Sequence, residues 1–386
     1  MSSESKYVEK ITTSADLWAR ITRATVLSHL DIEVTERCNN DCLHCYINLP
    51  LDDGQAQQAE LSFDEIRSIA DGAANLGCLS VRLTGGEPLV RDDFPEIYRY
   101  LIHKGMRVTV FTNATLLTPA IIDLFRKYPP FDLEISVYGM SQKSYEAVTR
   151  NPGSFAAAMA GIERLRERQL PFVLKSVALP PNLHELRDFR DWAIRLTGRE
   201  PGLVMKLDLR ATRDDERRNR VIKAMRLTPE QLEEFLRWDE AKYRSGMEQF
   251  VRKFLRSAPG DDKLFHCGSG MKVLTVNAYG QLQPCMLLRH PDCIYNLRNG
   301  SLRDALEHFI PRLREMRAQN TEYLTRCARC FLQALCGQCP AKSWMEYGEL
   351  DRPVEYLCTL AHAEAVFLGL LEEGEKAWER NAPTRS

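Results

Sequence analysis

The segment HLDIEVTERCNNDCLHCYIN, which spans residues 29–48, decides the fold of this chain. Its first seven residues, 29–35, are an apolar and β-branched run of the kind that forms a strand. Three cysteines, Cys38, Cys42 and Cys45, follow this run within one short loop. Because cofactors bind at the carboxyl ends of strands in α/β sheets, this order predicts an α/β fold with a ligand-binding loop after its first strand.

The alternation of strands and helices continues to about residue 209. Six strands are predicted, at residues 29–35, 78–86, 106–113, 131–139, 171–179 and 202–210. Five helices are predicted between them, at residues 62–77, 94–105, 118–128, 155–169 and 184–196. This pattern indicates right-handed βαβ units and a parallel sheet. Six units are too few for a closed eight-fold barrel, so a partial barrel or a doubly wound sheet is expected, with reactive loops at the carboxyl ends of the strands.

The pattern changes in the second half of the chain. The charged run TRDDERRNR, residues 212–220, is interpreted as a solvated linker. The segment VLTVNAYGQLQPC, residues 273–285, is typical of a hairpin that turns at AYG. Further helical patterns follow the 3.6-residue period, at residues 227–255, 301–319 and 360–379.

Composition and charge limit the possible partners. The 386 residues carry 52 Lys and Arg against 53 Asp and Glu, whereas proteins that grip nucleic acid are usually basic, so no nucleic-acid partner is expected. No apolar run reaches about 18 residues, so no membrane span is expected. The first residues lack the apolar core of a secretory signal, which predicts a cytoplasmic protein.

The 12 cysteines are unusual for a cytoplasmic chain. In a reducing compartment, cysteines are more often metal ligands or catalytic thiols than disulfides. They fall into an amino-terminal and a carboxy-terminal group, with Cys78 between them. Because Cys78 has apolar neighbours, it is interpreted as a small buried core residue. The grouping predicts one cysteine-dependent site in each half of the chain.

The amino-terminal group suits a cluster better than a single ion. Thiolate is the soft ligand that iron–sulfur clusters and zinc prefer. A structural zinc site needs four ligands, and ligation by His44 is awkward because Cys45 is its immediate neighbour. A 4Fe–4S cubane held by Cys38, Cys42 and Cys45 would instead leave one iron open to a small molecule.

The segment LTGGEPL, residues 83–89, ends the second predicted strand. Gly85 and Gly86 allow positive φ angles and a close approach of the backbone to a ligand. The Glu87 carboxylate could accept a hydrogen bond from an ammonium group, and Pro88 stiffens the exit of the turn. This turn lies one strand after the cysteine loop, so the two are expected at the same edge of the sheet.

A C-x3-C-x2-C loop followed by GGEP in a βα sheet resembles the radical S-adenosylmethionine (SAM) enzymes. The resemblance implies that SAM binds the open iron through its amino and carboxylate groups. An electron from the cluster then cleaves SAM to methionine and a 5′-deoxyadenosyl radical, which abstracts hydrogen from the substrate. The chain would thus be an oxidoreductase with a reductant of the flavodoxin or ferredoxin type. The resemblance assigns no catalytic side chain.

The resemblance also implies contacts with SAM. Thr84, Gly85, Gly86 and Glu87 match the segment that meets the methionine amine. His44 and Tyr46 occupy the loop beside the adenine, and Asn113 lies at the end of the third strand. Ser136 resembles the polar residue that contacts ribose or carboxylate. Arg150 resembles an arginine that meets the carboxylate, and Lys175 is a weaker candidate.

The carboxy-terminal cysteines resemble the SPASM extension of radical SAM enzymes, and structural zinc is the alternative. The resemblance implies two auxiliary 4Fe–4S clusters. The ligands of the outer cluster would be Cys327, Cys330, Cys336 and Cys358. Those of the inner cluster would be Cys267, Cys285 and Cys339. Its fourth ligand stays open among Asp261, Asp262, His266, Cys293 and substrate.

The implied architecture is a partial (β/α)6 TIM-like barrel with a cysteine-rich α+β SPASM domain. The expected parts are an amino-terminal extension, the barrel, a helical linker, the SPASM domain, and a carboxy-terminal helix and tail. Their expected bounds are 1–28, 29–209, 210–262, 263–360 and 361–386.

The most favoured function is that of a maturase for a ribosomally made peptide or a protein. The 28 residues before the first strand are too few for a leader-binding domain, so a separate leader-binding protein is the expected partner. Sulfatase maturation is an alternative, but those enzymes carry Asp where this chain has Met286. Oxidative decarboxylation of a porphyrin and a non-catalytic iron–sulfur protein are the remaining alternatives.

Overall fold

A computed structural model describes residues 27–255, 261–268 and 270–380 of the chain. The strands of its main sheet are β1 His29–Thr35, β2 Ser80–Gly85, β3 Arg107–Thr112, β4 Asp132–Ser136, β5 Val173–Val177, β6 Gly202–Val204, β7 Val273–Val276, β8 Gln281–Gln283 and β9 Tyr295–Asn296. The helices before β6 are α1 Gly54–Ala59, α2 Phe63–Asn75, α3 Phe94–His103, α4 Pro119–Lys127, α5 Gln142–Thr149, α6 Ser154–Glu167 and α7 Leu186–Thr197.

The second half of the chain is mainly helical. Its α-helices are α8 Glu216–Ala224, α9 Pro229–Leu236, α10 Glu240–Phe254, α11 Leu302–Asp304, α12 Ile310–Arg314, α13 Thr321–Thr325, α14 Gln333–Cys336, α15 Pro340–Tyr347 and α16 Glu355–Phe367. A π-helical turn, Ala305–Phe309, joins α11 to α12. In the described residues, no helix is both long and apolar enough to cross a membrane.

Local sequence explains where the helices begin. Ser62 forms a capping box with Glu65 at the start of α2, which satisfies backbone N–H groups that the helix leaves unpaired. Thr118 caps α4, and Pro119 takes the first helical position, where its missing N–H costs nothing. These caps fix the helices that cover the sheet.

Within the described residues, nine strands form one sheet in the order β9-β8-β7-β1-β2-β3-β4-β5-β6. The six strands β1 to β6 are parallel, as the sequence predicts, and the expected partial barrel is confirmed. The predicted hairpin is also present, because β7 and β8 pair antiparallel and Gly280 adopts φ +81° between them. β7 also pairs in parallel with β1, so the carboxy-terminal hairpin extends the same sheet.

The two faces of the sheet differ in character. One face packs under the helices and carries fully buried apolar side chains such as Ile32, Leu83, Val110 and Ile135. Because side chains alternate along a strand, the intervening residues point to the inner face. Those residues include Asp31, Glu33, Arg82, Thr84, Phe111, Glu134, Ser136 and Lys175. Whereas the interior of a closed eight-stranded barrel is packed with apolar side chains, this inner face is polar.

Some local predictions are wrong. Residues 142–149 form α5, which the sequence analysis omits, and the sixth strand is only three residues long. The charged run 212–220 is not a plain solvated linker, because its second half starts α8. The final helix begins at Glu355 and ends at Phe367, short of residue 379, since Gly369 turns the chain with φ +73°.

Candidate functional site

The three cysteines of the first group lie on a loop at the carboxyl end of β1. Two short parallel segments, Arg37–Cys38 and Leu49–Pro50, close the base of the loop. Its backbone is attached to α5, because the Asp41 and Leu43 N–H groups donate to the carbonyls of Thr149 and Val148 at 2.9 and 3.0 Å. These hydrogen bonds join the loop to the carboxy-terminal end of α5.

The Cys38, Cys42 and Cys45 thiols lie close enough to affect one another. Burial raises the pKa of Cys42 well above its ordinary value, and charges on Cys45 and Cys38 raise it further. Burial likewise raises the pKa of Cys38 to about 12. Three thiolates need a cationic partner here, and a bound metal supplies one because coordinating thiols are deprotonated outright. This donor set fits an iron–sulfur cluster.

A single metal ion fits the loop less well. In residues 27–255, 261–268 and 270–380, no three His, Cys, Asp or Glu side chains lie close enough together to hold one ion. The cysteines of a cubane bind different irons and need not converge on one point.

The glycine turn packs directly on this loop. A side chain at Gly86 would place its Cβ 2.3 Å from the Arg37 carbonyl oxygen, and one at Gly85 would meet the Thr35 carbonyl at 2.0 Å. The Gly86 and Glu87 N–H groups donate to these carbonyls, those of Thr35 and Arg37, at 2.8 and 3.0 Å. Glycine is thus required because two backbones are in contact.

Glu87 is fully buried and joins the ends of β2 and β3. Its carboxylate accepts hydrogen bonds from the Thr112 hydroxyl at 2.8 Å, the Asn113 N–H at 2.7 Å and the Leu89 N–H at 3.1 Å. Burial raises the pKa of Glu87 to about 7. Both carboxylate oxygens thus already accept hydrogen bonds from the protein. The backbone of the turn is therefore better placed than this carboxylate to meet an ammonium group.

Asn113 and Arg150 brace the cysteine loop. The Asn113 amide donates to the Asn39 side-chain oxygen at 2.9 Å, and its nitrogen lies 3.8 Å from the Cys38 sulfur. Arg150 ends α5 in the left-handed region, with φ 54°, and pairs with Asp41 at 3.0 Å. In the structure, Arg150 therefore meets a carboxylate of the loop itself.

The loop residues His44 and Tyr46 face inward. Within the described residues, His44 Nδ1 is buried without a hydrogen-bond partner, and burial lowers the pKa of His44 to about 4. The His44 ring meets Tyr138 edge-on at 4.8 Å. The Tyr46 hydroxyl lies 3.9 Å from the sulfur of Met286, which connects the first loop to the segment after Cys285.

Ser136 and Lys175 lie in register on neighbouring strands of the inner face. Lys175 is ion-paired with Glu134, and its ammonium group lies 4.2 Å from the centre of the Phe111 ring. Burial lowers the pKa of Lys175 to about 8. By the alternation of side chains along the strands, both residues point to the inner face of the sheet.

Two arginines that contact the cysteine loop were not predicted as site residues. Arg218, in α8, donates to Asp41 at 2.6 Å and to the Asn48 side chain at 2.8 Å. Arg210 is buried and donates to the Asn48 carbonyl at 3.3 Å. Burial raises the pKa of Cys45, and the charges of both arginines partly oppose this rise. The clustering of arginines in residues 210–220 could have suggested a counter-charge for an anionic cluster.

The carboxy-terminal cysteines form two groups. Four of them line one cavity: Cys327, Cys330, Cys336 and Cys358. The second group is identified by charge effects, because Cys339 and Cys267 both raise the pKa of Cys285, which burial raises to about 12. The division of these cysteines into an outer and an inner ligand set stays a prediction.

The candidates for a fourth inner ligand differ in their surroundings. Cys293 is fully buried. Burial raises the pKa of Cys293 to about 12, and charges on Asp292 and then Cys285 raise it further. His266 lies 3.3 Å from Asp261, whereas Asp262 pairs with Arg317 at 2.9 Å.

Comparison with known proteins identifies similar sequences. Residues 32–193 match the family model described as the radical SAM superfamily. The chain is 36% identical over 154 residues to an AdoMet-dependent heme synthase of Methanosarcina barkeri, a match that covers 40% of this chain and 43% of that protein. It is 28% identical over 336 residues to the AdoMet-dependent heme synthase of Nitratidesulfovibrio vulgaris, covering 82% of this chain and 88% of that protein.

A maturase and a solved structure are also similar. The mycofactocin maturase MftC of Mycolicibacterium smegmatis is 26% identical over 330 residues, which cover 83% of this chain and 80% of that protein. The crystal structure of Streptococcus suis SuiB bound to S-adenosylmethionine superposes with a TM-score of 0.65 at 14% identity. That superposition covers 89% of this chain and 80% of the SuiB chain, and it shows a shared fold.

Proposed function

Because this chain is a radical SAM enzyme of the SPASM type, which uses a 4Fe–4S cluster and SAM, we propose that it modifies a ribosomally made peptide or a protein. Cys38, Cys42 and Cys45 hold the cluster that binds SAM. The observation that supports this assignment is the contact of the three-cysteine loop with the Gly85–Gly86 turn, which leaves no room for a Cβ.

The side chains around the loop orient SAM. The backbone from Thr84 to Glu87 meets the methionine amine, and the neutral His44 ring with Tyr46 borders the adenine. Asn113, Ser136 and Arg150 are the other SAM-binding residues of this assignment. When bound, the cluster and SAM supply the hydrogen-abstraction chemistry, and the buried walls of the site exclude water from it.

The carboxy-terminal cysteines hold two auxiliary clusters. The outer one is bound by Cys327, Cys330, Cys336 and Cys358, which share a cavity. The inner one is bound by Cys267, Cys285 and Cys339, and its fourth ligand is one of Asp261, Asp262, His266 and Cys293 or the substrate itself. In this proposal residues 29–209 form the barrel, 210–262 the linker and 263–360 the SPASM domain. Helix α16 crosses the expected boundary at residue 360, and most of the expected extension 1–28 and the end of the expected tail lie outside the described residues.

The free edge of the sheet supports a peptide substrate. β6 is the last strand of the described sheet, and Val204 on it is 47% exposed. A groove beside this edge is lined by Leu203, Met205, Phe235 and Trp238. An exposed edge can add an extended peptide as a further strand, while neighbouring pockets take alternate side chains. A leader-binding protein and a flavodoxin or ferredoxin reductant complete the proposed set of partners.

The test is anaerobic reconstitution of the full chain with dithionite and SAM. The protein is incubated with peptides encoded beside its gene, and both 5′-deoxyadenosine and modified peptide are read by mass spectrometry. We expect Cys42→Ala to abolish SAM cleavage while the carboxy-terminal clusters keep their iron. Cys78→Ala is the matched control, since Cys78 is buried in the core. Zinc in place of iron in the wild type, or intact SAM after reduction, would refute the proposal.

A tetrapyrrole is the second candidate substrate, because heme synthases are among the relatives that match over most of their length. Arg82 and Lys175 lie 4.7 and 4.2 Å from the Phe111 ring on the inner face, where cations could bind propionate groups. This candidate predicts loss of carbon dioxide from an iron porphyrin in the same reaction. Peptide modification without porphyrin turnover would exclude it.

A further inference from the structure

The Cys358 sulfur is approached by two side-chain nitrogens. Arg326 Nη2 lies 3.6 Å from this sulfur and donates to it. His362, one turn further along α16, places Nδ1 at 3.6 Å from the same sulfur. His362 Nε2 accepts a hydrogen bond from the Ala377 N–H at 3.3 Å, so its ring hydrogen lies on Nδ1. The Nδ1–H group donates mainly to the Cys358 carbonyl oxygen at 2.8 Å, so its contact with the sulfur is a second, weaker branch of a shared hydrogen bond. Arg326 is thus the main donor to the Cys358 sulfur, and His362 is the secondary one.

Arg326 is held in place on several sides. Its guanidinium group pairs with Glu355 at 2.8 Å and with Glu322. The same group lies 4.6 Å from the centre of the Trp378 ring, and the side chain is only 19% exposed. The donor that reaches Cys358 is thus fixed by two ion pairs and an aromatic contact.

The carboxy-terminal segment around Trp378 covers the cavity that contains Cys358. Trp378 also meets the His362 ring edge-on at 5.5 Å, and both side chains line the cavity of the four cysteines. Because an N–H···S contact is stronger where water is excluded, this cover increases the influence of both donors on the sulfur.

We propose that Arg326 and His362 raise the reduction potential of the outer auxiliary cluster through hydrogen bonds to the Cys358 sulfur. The inference rests on the proposed function only in that these four cysteines bind an iron–sulfur cluster. Reduction makes the cluster more negative, so hydrogen bonds to its sulfur ligands and a nearby positive charge favour the reduced form. No bond is formed or broken. In a titration, one electron passes from dithionite, which is oxidised, to the cluster, which is reduced.

The experiment measures the midpoint potential of the outer cluster in the full chain. Every protein compared carries Cys42→Ala, which removes the first cluster. Arg326→Gln is titrated anaerobically, with the reduced cluster followed by electron paramagnetic resonance. The paramagnetic resonance signal of the outer cluster is identified as the signal that Cys330→Ala removes. We expect Arg326→Gln to make reduction about tenfold less favourable, a shift of about 59 mV to more negative potential for one electron.

Further variants separate charge from geometry. Arg326→Lys keeps the charge but loses the planar fork, and we expect a smaller shift in the same direction. His362→Phe removes the second donor while it keeps a ring beside Trp378, and we also expect a smaller negative shift. Arg329→Gln is the matched control, because Arg329 is exposed beside Cys330. Its potential should equal that of the background.

Unchanged potentials in iron-replete Arg326→Gln would overturn the inference, as would an equal shift in Arg329→Gln. If Arg326→Gln loses its iron, the test rests on Arg326→Lys and His362→Phe. An unchanged midpoint potential in both of these variants refutes the inference. A chain with an intact array but no iron at the four cysteines would instead refute the proposed function.

Discussion

Arg289 donates from Nη2 to the Oε2 atom of Glu33 across 2.6 Å, and both side chains are buried. Glu33 lies on β1, before the first cysteine loop, whereas Arg289 lies four residues after Cys285. Arg289 also pairs with Glu36, whose carboxylate accepts a hydrogen bond from the Tyr279 hydroxyl at 3.1 Å. This buried network connects the two cysteine-bearing regions across the inner face of the sheet.

Arg289→Leu should destabilise the protein strongly. Above about pH 7, where Glu33 is ionised, the substitution leaves the Glu33 and Glu36 carboxylates buried without their cation. Breaking such a buried pair costs about 3–5 kcal/mol. The free energy of unfolding, measured by urea denaturation under anaerobic conditions, checks this expectation. Arg298→Leu is the control, since the Arg298–Glu65 pair is exposed and should be worth at most about 1 kcal/mol. Equal losses in both variants would contradict the prediction.

Glu33 should make the stability of the protein depend on pH. Burial raises the pKa of Glu33 from 4.5 to about 7, although the Arg289 charge opposes this, and the Glu36 and Asp31 charges raise it further. Between about pH 4.5 and 7 the native protein therefore holds a proton that the unfolded chain has released, so stability falls as pH rises.

Glu33→Gln should flatten this dependence over the same pH window. The slope that it removes is at most about 1.4 kcal/mol per pH unit for one proton. Urea midpoints at several pH values from about 5 to 8 measure the slope in both proteins. A wild type whose stability rises through this window, with no change of slope in Glu33→Gln, would show that Glu33 is ionised throughout.

Gly86→Ala should disrupt the first cysteine site. The added Cβ would lie 2.3 Å from the Arg37 carbonyl oxygen and would push the turn away from the loop. We expect loss of SAM binding and of iron from the first site, measured by equilibrium binding and iron analysis. Gly246→Ala is the matched control, because no atom lies within 4 Å of its added Cβ on α10. That change should stabilise the helix by up to about 1 kcal/mol.

Arg218→Gln should weaken the hold on the first cluster without unfolding the protein. It removes a cation that donates to Asp41 and Asn48, and it leaves Arg150 as the cation paired with Asp41. We expect faster release of iron from the first site to a chelator, by several-fold, while the carboxy-terminal sites are unaffected. Arg217→Gln, an exposed neighbour on α8, should release iron at the wild-type rate. Identical rates in all three proteins would remove any role of Arg218.

The main features of the fold follow from short-range patterns in the sequence. The six parallel strands are visible because each is a compact apolar run and helical patterns separate them, one of which begins with the capping residue Ser62. The pairing of β7 with β1 could not be predicted, because it joins residues more than 240 positions apart. Helix α5 was missed because its sequence, QKSYEAVT, has few apolar residues and no strong period.

The candidate site was only partly predictable for a similar reason. Cysteine and glycine each suit few structural roles, chiefly metal ligation and tight turns. Cys38, Cys42, Cys45 and the Gly85–Gly86 turn could therefore be proposed as site residues from their spacing. Arginine is common on surfaces, so the roles of Arg210, Arg218 and Arg326 depended on contacts that only the folded chain reveals. The hydrogen bonds of Glu87 to the Asn113 backbone were hidden from the sequence in the same way.

The parallel contact between β7 and β1 bears on any attempt to divide this chain. Without residues 273–276, β1 would become an outer strand with unsatisfied N–H and C=O groups, a template for pairing between molecules. A fragment that ends near residue 210 should therefore aggregate even though it contains the whole SAM-binding loop. The carboxy-terminal hairpin therefore protects an edge of the amino-terminal sheet from pairing with another molecule.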